Sequence, residues 1–235
     1  MVCKCESMCS CDEPTHIDKI IRDLTDQEVR FYSNDNISDH LYATDINEIR
    51  KAVELNMREV LRCLIIDVDN DHNAQDTAKR VAKMFVDEIF YGRYQPAPKV
   101  TAFPNASNYD QIYVTGPITV RSMCAHHMMP IKGKAYIGVY PGNNVIGLSK
   151  FNRLVDWVCS RPQIQEEMTE QIADVIEGST NAKGIAVVVQ AEHFCMTHRG
   201  VKEHESDMST SVMRGSFRDD KSLKQEFFNI MARMK

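Results

Sequence analysis

Apolar residues recur at helical spacing through the first half of this chain and at extended spacing through much of the second. Ile17, Ile20, Ile21 and Leu24 predict one helix inside an otherwise polar, irregular stretch that runs to about Thr44. From Asp45 onward Ile46, Ile49, Val53, Val60, Leu61 and Leu64 fall on a helical stripe. Asp45, three residues before Glu48, reads as the cap of a helix that reaches about Ile66. The run DVDNDHNAQD over 67–76 is a loop by composition. A second amphipathic helix follows, with Val81, Ala82, Phe85 and Ile89 on one side, until Gly92 and the prolines at 96, 98 and 104 end it.

Beyond Pro104 the period changes. IYVTGPITV at 112–120, KAYIGVY at 134–140 and GIAVVVQAEHFCM at 184–196 are rich in Val, Ile and Tyr and predict strands. Between the last two lie two helices. One opens at Ser149 with Leu154, Val155 and Val158; the other carries Ile164, Met168, Ile172, Val175 and Ile176, with Gly178 as its expected stop. A strand near 207–217 and a short helix with Leu223, Phe227, Phe228 and Ile230 follow. This order predicts an α+β fold, an antiparallel sheet with helices on one face, preceded by an N-terminal helical region. The expected divisions are a polar, cysteine-rich and partly disordered arm at 1–44, a helical region at 45–110 and a catalytic domain at 111–235. No internal repeat, phosphate loop or dinucleotide fingerprint is present.

Composition narrows the function classes. With 43% apolar residues in 235, the chain can fill a core. Its 28 Lys+Arg against 33 Asp+Glu give a net charge of -5, which argues against a nucleic-acid partner. No apolar run reaches the ~18–20 residues of a membrane span, and the polar start lacks a signal peptide's apolar stretch, so the expected setting is cytoplasmic. Eight cysteines without a secretory signal, beside eight histidines, favour metal binding over disulfides. Cys3, Cys5, Cys9 and Cys11 could chelate a soft metal, but a terminal segment without apolar neighbours argues against fixed ligand geometry there.

The segment SMCAHHMMP at 122–130 sets Cys124 and His127 three apart with His126 between them, after a predicted strand. In the strand at 184–196, His193 and Cys195 are two apart and so are expected on one face of the sheet. One metal could draw on both groups. Cys124, His127 and Cys195 make a two-cysteine, one-histidine set, and a tetrahedral zinc with three protein ligands keeps one position for water, as catalytic sites do. A structural zinc is the alternative, with His193 or His126 as its only available fourth ligand. Beside the metal, His126 and His193 are candidates for general acid/base work near neutral pH. His16, His40, His72, His198 and His204 read as ordinary packed or solvated side chains.

Three long segments, SMCAHHMMPIKGKAYIGVYP, VIGLSKFNRLVDWVCSRPQIQEEMTEQIADVI and AEHFCMTHRGV, closely resemble GTP cyclohydrolase I, and the resemblance runs from about Asp76 to the C-terminus. It implies the tunnelling fold and a hydrolase acting on a cyclic amidine. In that family zinc activates a water that attacks carbon 8 of the guanine of GTP, the imidazole ring opens and formate leaves. The product, 7,8-dihydroneopterin triphosphate, feeds folate, tetrahydrobiopterin and deazaguanine synthesis. By matching positions Cys124, His127 and Cys195 are the zinc ligands, and His126 and His193 handle protons.

The same resemblance places Glu166 against the guanine's donor edge, with Gln165 beside it in the pattern. It assigns Ser149, Lys150 and Arg153, at a predicted helix N-terminus, to the triphosphate together with Arg199, and Arg80 from a neighbouring subunit. A toroidal homodecamer with active sites at subunit junctions is implied as well. Two positions depart from the family pattern: Ala125 stands where Glu usually follows the first zinc cysteine, and Ala78 stands where proline is usual. Three other readings stand beside the cyclohydrolase. They are another tunnelling-fold enzyme acting on a pterin or purine, a zinc- and nucleotide-binding homologue without catalysis, which Ala125 favours, and an interaction module built on the N-terminal cysteines.

Overall fold

The computed structural model describes residues 14–234. The cysteines at 3, 5, 9 and 11 lie outside the described residues. The chain forms two compact units, one of the residues up to Phe31 with Ser38–Val86, the other of Tyr32–Ile37 with the chain from Asp87 onward.

The first unit is helical. Helix α1 (His16–Asp26) starts from a capping box in which the Thr15 hydroxyl accepts from the Asp18 N–H and the Asp18 carboxylate accepts from that of Thr15. Helix α2 (Ala43–Cys63) begins two residues before the sequence suggested. Asp45 is not its cap but sits inside the first turn, its carboxylate accepting the Tyr42 N–H at 2.8 Å. The other carboxylate oxygen of Asp45 lies 2.7 Å from His16 Nε2, which joins α1 to α2. Helix α2 ends at Cys63 rather than Ile66, because Ile65 adopts φ 62° and the Ile66 N–H turns back to the Leu61 carbonyl at 3.1 Å. Leu61, Val68 and Ala78 form the small core between α2 and α3 (Thr77–Lys83). The single helix expected to run on from there instead widens into a π turn over Met84–Ile89, followed by the short α4 (Tyr91–Tyr94).

The second unit is built on a five-stranded sheet. Its strands are β2 (Tyr113–Cys124), β3 (Pro130–Tyr140), β5 (Pro162–Gln163), β6 (Gly184–His193) and β7 (Asp207–Gly215), in spatial order β5-β2-β3-β6-β7. The three long pairings are antiparallel, and β5 adds two residues parallel to β2. Two three-residue strands, β1 (Ala102–Pro104) and β4 (Asn144–Ile146), pair separately.

Alternation along the strands divides the sheet's faces. Ala135, Ile137, Val139, Val187, Val189 and Ala191 point to one face, where α5 (Leu148–Cys159) and α6 (Gln165–Thr180) bury Phe151, Leu154, Val155, Met168, Ile172 and Ile176 against them. Tyr136, Ala186 and Val188 point to the other. There they meet Phe217 of α8 (Ser216–Asp219) and Phe227 of α9 (Lys221–Met231), so the C-terminal helices add a smaller layer to the face opposite the two long ones. Gly138 permits this packing: a Cβ there would lie 2.5 Å from the Phe227 ring. Helix α6 passes through Gly178 and stops at Asn181, which takes the left-handed conformation, φ 48°, instead of the expected glycine. No described helix is long and apolar enough to cross a membrane.

Candidate metal centre

Strand β2 delivers Cys124 to a tight turn. The Cys124 N–H donates to the Met129 carbonyl (2.8 Å), the Met128 N–H donates back to the Cys124 carbonyl (2.9 Å), and Met128, at φ 50°, lets the chain reverse into β3. From the outer side, the Ala125 N–H donates to the Gln163 carbonyl of β5 (3.0 Å). The turn is thus tied on both sides. It leaves His126 and His127 exposed, with their rings edge-on and centroids 6.3 Å apart.

The second motif arrives through the β3–β6 register, in which Ile131 pairs with His193, directly beyond the turn. The strand ends there. Cys195 lies in a helical turn, α7 (Phe194–Thr197), and not in the extended run the sequence suggested, so His193 and Cys195 do not share a sheet face by alternation. Thr197, whose hydroxyl donates to the Glu192 carboxylate at 2.8 Å, closes this turn.

The donor atoms of Cys124, His127 and Cys195 all lie within 4.8 Å of one another, and among the described residues the group has these three members. Two thiols and an imidazole so close, with Cys124 buried and His127 exposed, fit a tetrahedral zinc that bonds sulfur at ~2.3 Å and nitrogen at ~2.0–2.1 Å and keeps its fourth position open. Burial pushes the Cys195 thiol above its ordinary pKa, the adjacent Cys124 pushes it further, and the Arg199 charge acts the other way. A divalent cation reverses that preference, because a coordinating thiol gives up its proton.

His193 is half-buried, and its Nε2 lies 2.7 Å from Gln165 Oε1. Burial lowers its pKa, against the raising effect of the Glu166 charge. Gln165 was expected to border a guanine, yet it is 1% exposed and its amide is spent inside the protein, on the Val189 and Met208 carbonyls and the Thr210 hydroxyl. The two acidic residues that follow, both exposed in the first turn of α6, differ. Glu167 accepts from the Asn34 side-chain amide at 2.6 Å, whereas Glu166 makes no hydrogen bond or ion pair among the described residues.

Ser149, Lys150 and Arg153 occupy the first two turns of α5, behind Gly147 as N-cap. Ser149 and Arg153 are exposed on one side of the helix, while Lys150 Nζ donates to the Lys99 carbonyl at 2.9 Å. Arg199 is exposed just past α7, and exposed Arg80 in α3 pairs with Asp76 at 3.4 Å. Ser149, Lys150, Arg153 and Arg199 make no hydrogen bond to the cysteine–histidine group.

Two supporting residues escaped the sequence reading. Arg161, 5% exposed, stacks on Trp157 at 4.0 Å and donates to the carbonyls of Gly92 (3.0 Å) and Asn34 (3.1 Å). Gln163, 1% exposed, donates to the Val158 carbonyl at 2.8 Å and to Gln171 at 3.0 Å. Together they fix the β5 segment that holds Ala125. The signal was the polar run RPQIQE beginning immediately after an apolar helix.

Known proteins are similar to this chain over most of its length. GTP cyclohydrolase 1 of Haemophilus ducreyi is 39% identical over 188 residues, covering 80% of this chain and 86% of the relative. The Vibrio vulnificus protein of the same name is 37% identical over 183 residues, covering 77% and 84%. That of Histophilus somni is 37% identical over 188 residues, covering 80% and 86%. The family profile described as GTP cyclohydrolase I matches residues 53–232, a span that takes in the cysteine–histidine cluster, His193 and the whole five-stranded sheet, and the chain therefore belongs to the GTP cyclohydrolase I family.

Proposed function

We propose that this chain catalyses the zinc-dependent hydrolytic opening of the guanine imidazole ring of GTP, releasing formate and giving 7,8-dihydroneopterin triphosphate. The observation that carries this reading is the Cys124–His127–Cys195 cluster, whose three donors would leave a tetrahedral zinc one position for water, in a chain of this family. Zinc held there supplies a Lewis acid able to generate hydroxide near neutral pH, which water alone does not.

The protein's own groups do the rest. Carbon 8 of guanine is a weak electrophile, and a proton placed on the neighbouring ring nitrogen makes it a better one. His126 and His193 are the candidates to give and take protons at the ring. Glu166, exposed and without a hydrogen-bond or ion-pair partner among the described residues, accepts from the two donors on the guanine's amide edge. Ser149, Lys150 and Arg153 bind the triphosphate at the N-terminus of α5, where free N–H groups and the helix dipole favour an anion. Arg199 adds a further cation, as does Arg80 from a neighbouring subunit. This cationic set is how a chain of net charge -5 takes an acidic substrate.

Self-association belongs to the same reading. Among the described residues β7 at one edge of the sheet has no outer strand, and β2 at the other is covered by only two residues of β5. Such edges invite pairing with further copies, in keeping with a homodecamer whose sites form at subunit junctions. We assign catalysis to residues 111–235, with 45–110 a helical accessory region and 1–44 an arm, in a cytoplasmic enzyme that supplies the pterin skeleton for folate-type one-carbon cofactors.

The test is to incubate the purified, zinc-loaded protein with GTP and follow formate together with the fluorescence of the oxidised pterin. Equal amounts of both are expected. One zinc per chain with neither product would refute catalysis and favour a binding protein in which Ala125 has replaced a needed carboxylate.

A further inference from the structure

We infer that Gln165 is a positioning residue: it holds His193 in the tautomer that carries hydrogen on Nε2, leaving Nδ1 as the ring nitrogen offered to a ligand. The part concerning catalysis rests on the function proposed above; the tautomer itself does not.

The direction of the His193–Gln165 hydrogen bond follows from what lies on the other side of the glutamine. Its amide group faces the main-chain carbonyls of Val189, at 3.2 Å, and Met208, at 3.0 Å. Carbonyl oxygens only accept, so the group facing them is the NH2, and Oε1 is the atom 2.7 Å from His193 Nε2. An oxygen there requires a donor. His193 Nε2 must therefore carry a hydrogen, and in the neutral ring the lone pair is then on Nδ1.

The hydroxyl network around Gln165 agrees with this assignment and permits only one direction. Thr169 Oγ1 donates its single hydrogen to the Gln165 main-chain carbonyl at 2.7 Å. It can then only accept across the 2.6 Å contact with Thr210 Oγ1, which must be the donor. Thr210 in turn has a lone pair for the Gln165 NH2, 3.2 Å away. The circuit closes on α6 and β7 with every hydroxyl hydrogen assigned. Flipping the amide would set its oxygen against two carbonyl oxygens and strand the Thr210 lone pair. In a site where Gln165 is 1% exposed, no water relieves such a clash.

The side-chain amide of Gln165 is engaged within the protein, which distinguishes it from its exposed neighbour Glu166. Its effect on catalysis is exerted through the ring it orients. Removing a residue that orients a functional imidazole in this way typically changes activity by ~10- to 100-fold.

The test is carried out on the zinc-loaded protein with ring-15N histidine, using His193→Gln to identify the His193 signals. The wild type is expected to show a protonated Nε2 and a bare Nδ1 for His193; hydrogen on Nδ1 with a bare Nε2 would overturn the inference without any reference to activity. Gln165→Met fills similar volume without an acceptor and should release the preference, lowering kcat ~10- to 100-fold with KM for GTP within about twofold. Gln165→Met with the wild-type tautomer and only a lower Tm would mean that Gln165 merely joins α6 to β7, which also overturns the inference. If the wild type fails to turn over GTP yet shows the Nε2–H form, the proposed function fails and the tautomer assignment stands.

Discussion

The Ala125 N–H donates to the Gln163 carbonyl across 3.0 Å, and this bond ties the turn that presents Cys124 and His127 to the buried β5 segment. Gln163 is itself 1% exposed and held by Val158 and Gln171, so the turn is referenced to the core and not to solvent. Ala125→Pro deletes the donor and leaves a carbonyl beside the core unpaired, a loss of about 1–3 kcal/mol. We expect this variant to lose zinc and melt earlier, and Ala125→Gly, which keeps the N–H, to retain one zinc per chain. Metal analysis by mass spectrometry checks both; full zinc in the proline variant would show that the tie is dispensable.

Removing one thiol tests the ligand set itself. Cys195→Ala leaves one thiol and one imidazole, too few to hold zinc against a moderate chelator. The variant should be isolated without stoichiometric metal, and one zinc per chain in it would break the assignment.

His126 and His127 are neighbours with different expected duties, and their substitutions should separate metal binding from turnover. His126→Ala is expected to keep its zinc while losing about 10²–10⁴-fold in kcat. His127→Ala is expected to lose both. Unchanged turnover in His126→Ala would remove it from the proton-transfer steps.

Much of this arrangement was legible in the sequence, and the parts that were not have physical reasons. GIAVVVQAEH reads as a strand because β-branched residues run through positions covered on both faces, and that is β6. CAHH and HFC point to a cluster of ligand-type side chains, and Cys124, His127 and Cys195 do come together in the fold. Alternation, however, cannot show where a strand stops, and Cys195 was read as strand although the chain turns helical at Phe194. Strand β5, at two residues, is too short to leave a period at all. Arg161 was invisible as a core residue because charge ordinarily signals surface; its burial follows from a stacking partner and two carbonyl acceptors supplied by distant parts of the chain.

Glu166 and Glu167 look equivalent in the sequence, but among the described residues only Glu167 has a hydrogen-bond partner, Asn34. Glu166→Gln removes a charged acceptor for the guanine donors, worth about 1.5–3 kcal/mol, and should lower kcat/KM for GTP by roughly 10- to 100-fold. Glu167→Gln keeps an acceptor for Asn34 and should stay within about twofold. Steady-state kinetics on the pair would contradict the substrate role of Glu166 if the two variants behaved alike.

Stability around the supporting segment has its own test at Gly92. A Cβ there would lie 2.0 Å from the Trp157 carbonyl and 2.9 Å from that of Ser160, both main-chain atoms that cannot swing away. Gly92→Ala should cost roughly 1–3 kcal/mol, a fall in Tm of about 2–4 °C for each kcal/mol, readable by calorimetry. An unchanged melting temperature would mean that α5 shifts freely against α4.

The most direct measurement of the central claim uses GTP labelled with 13C at carbon 8 of the guanine, added to the zinc-loaded protein and followed by NMR. The account predicts that the label leaves as formate, one per GTP consumed, while the remaining carbons appear in dihydroneopterin triphosphate. Label retained on the purine ring, or lost without formate, would contradict it.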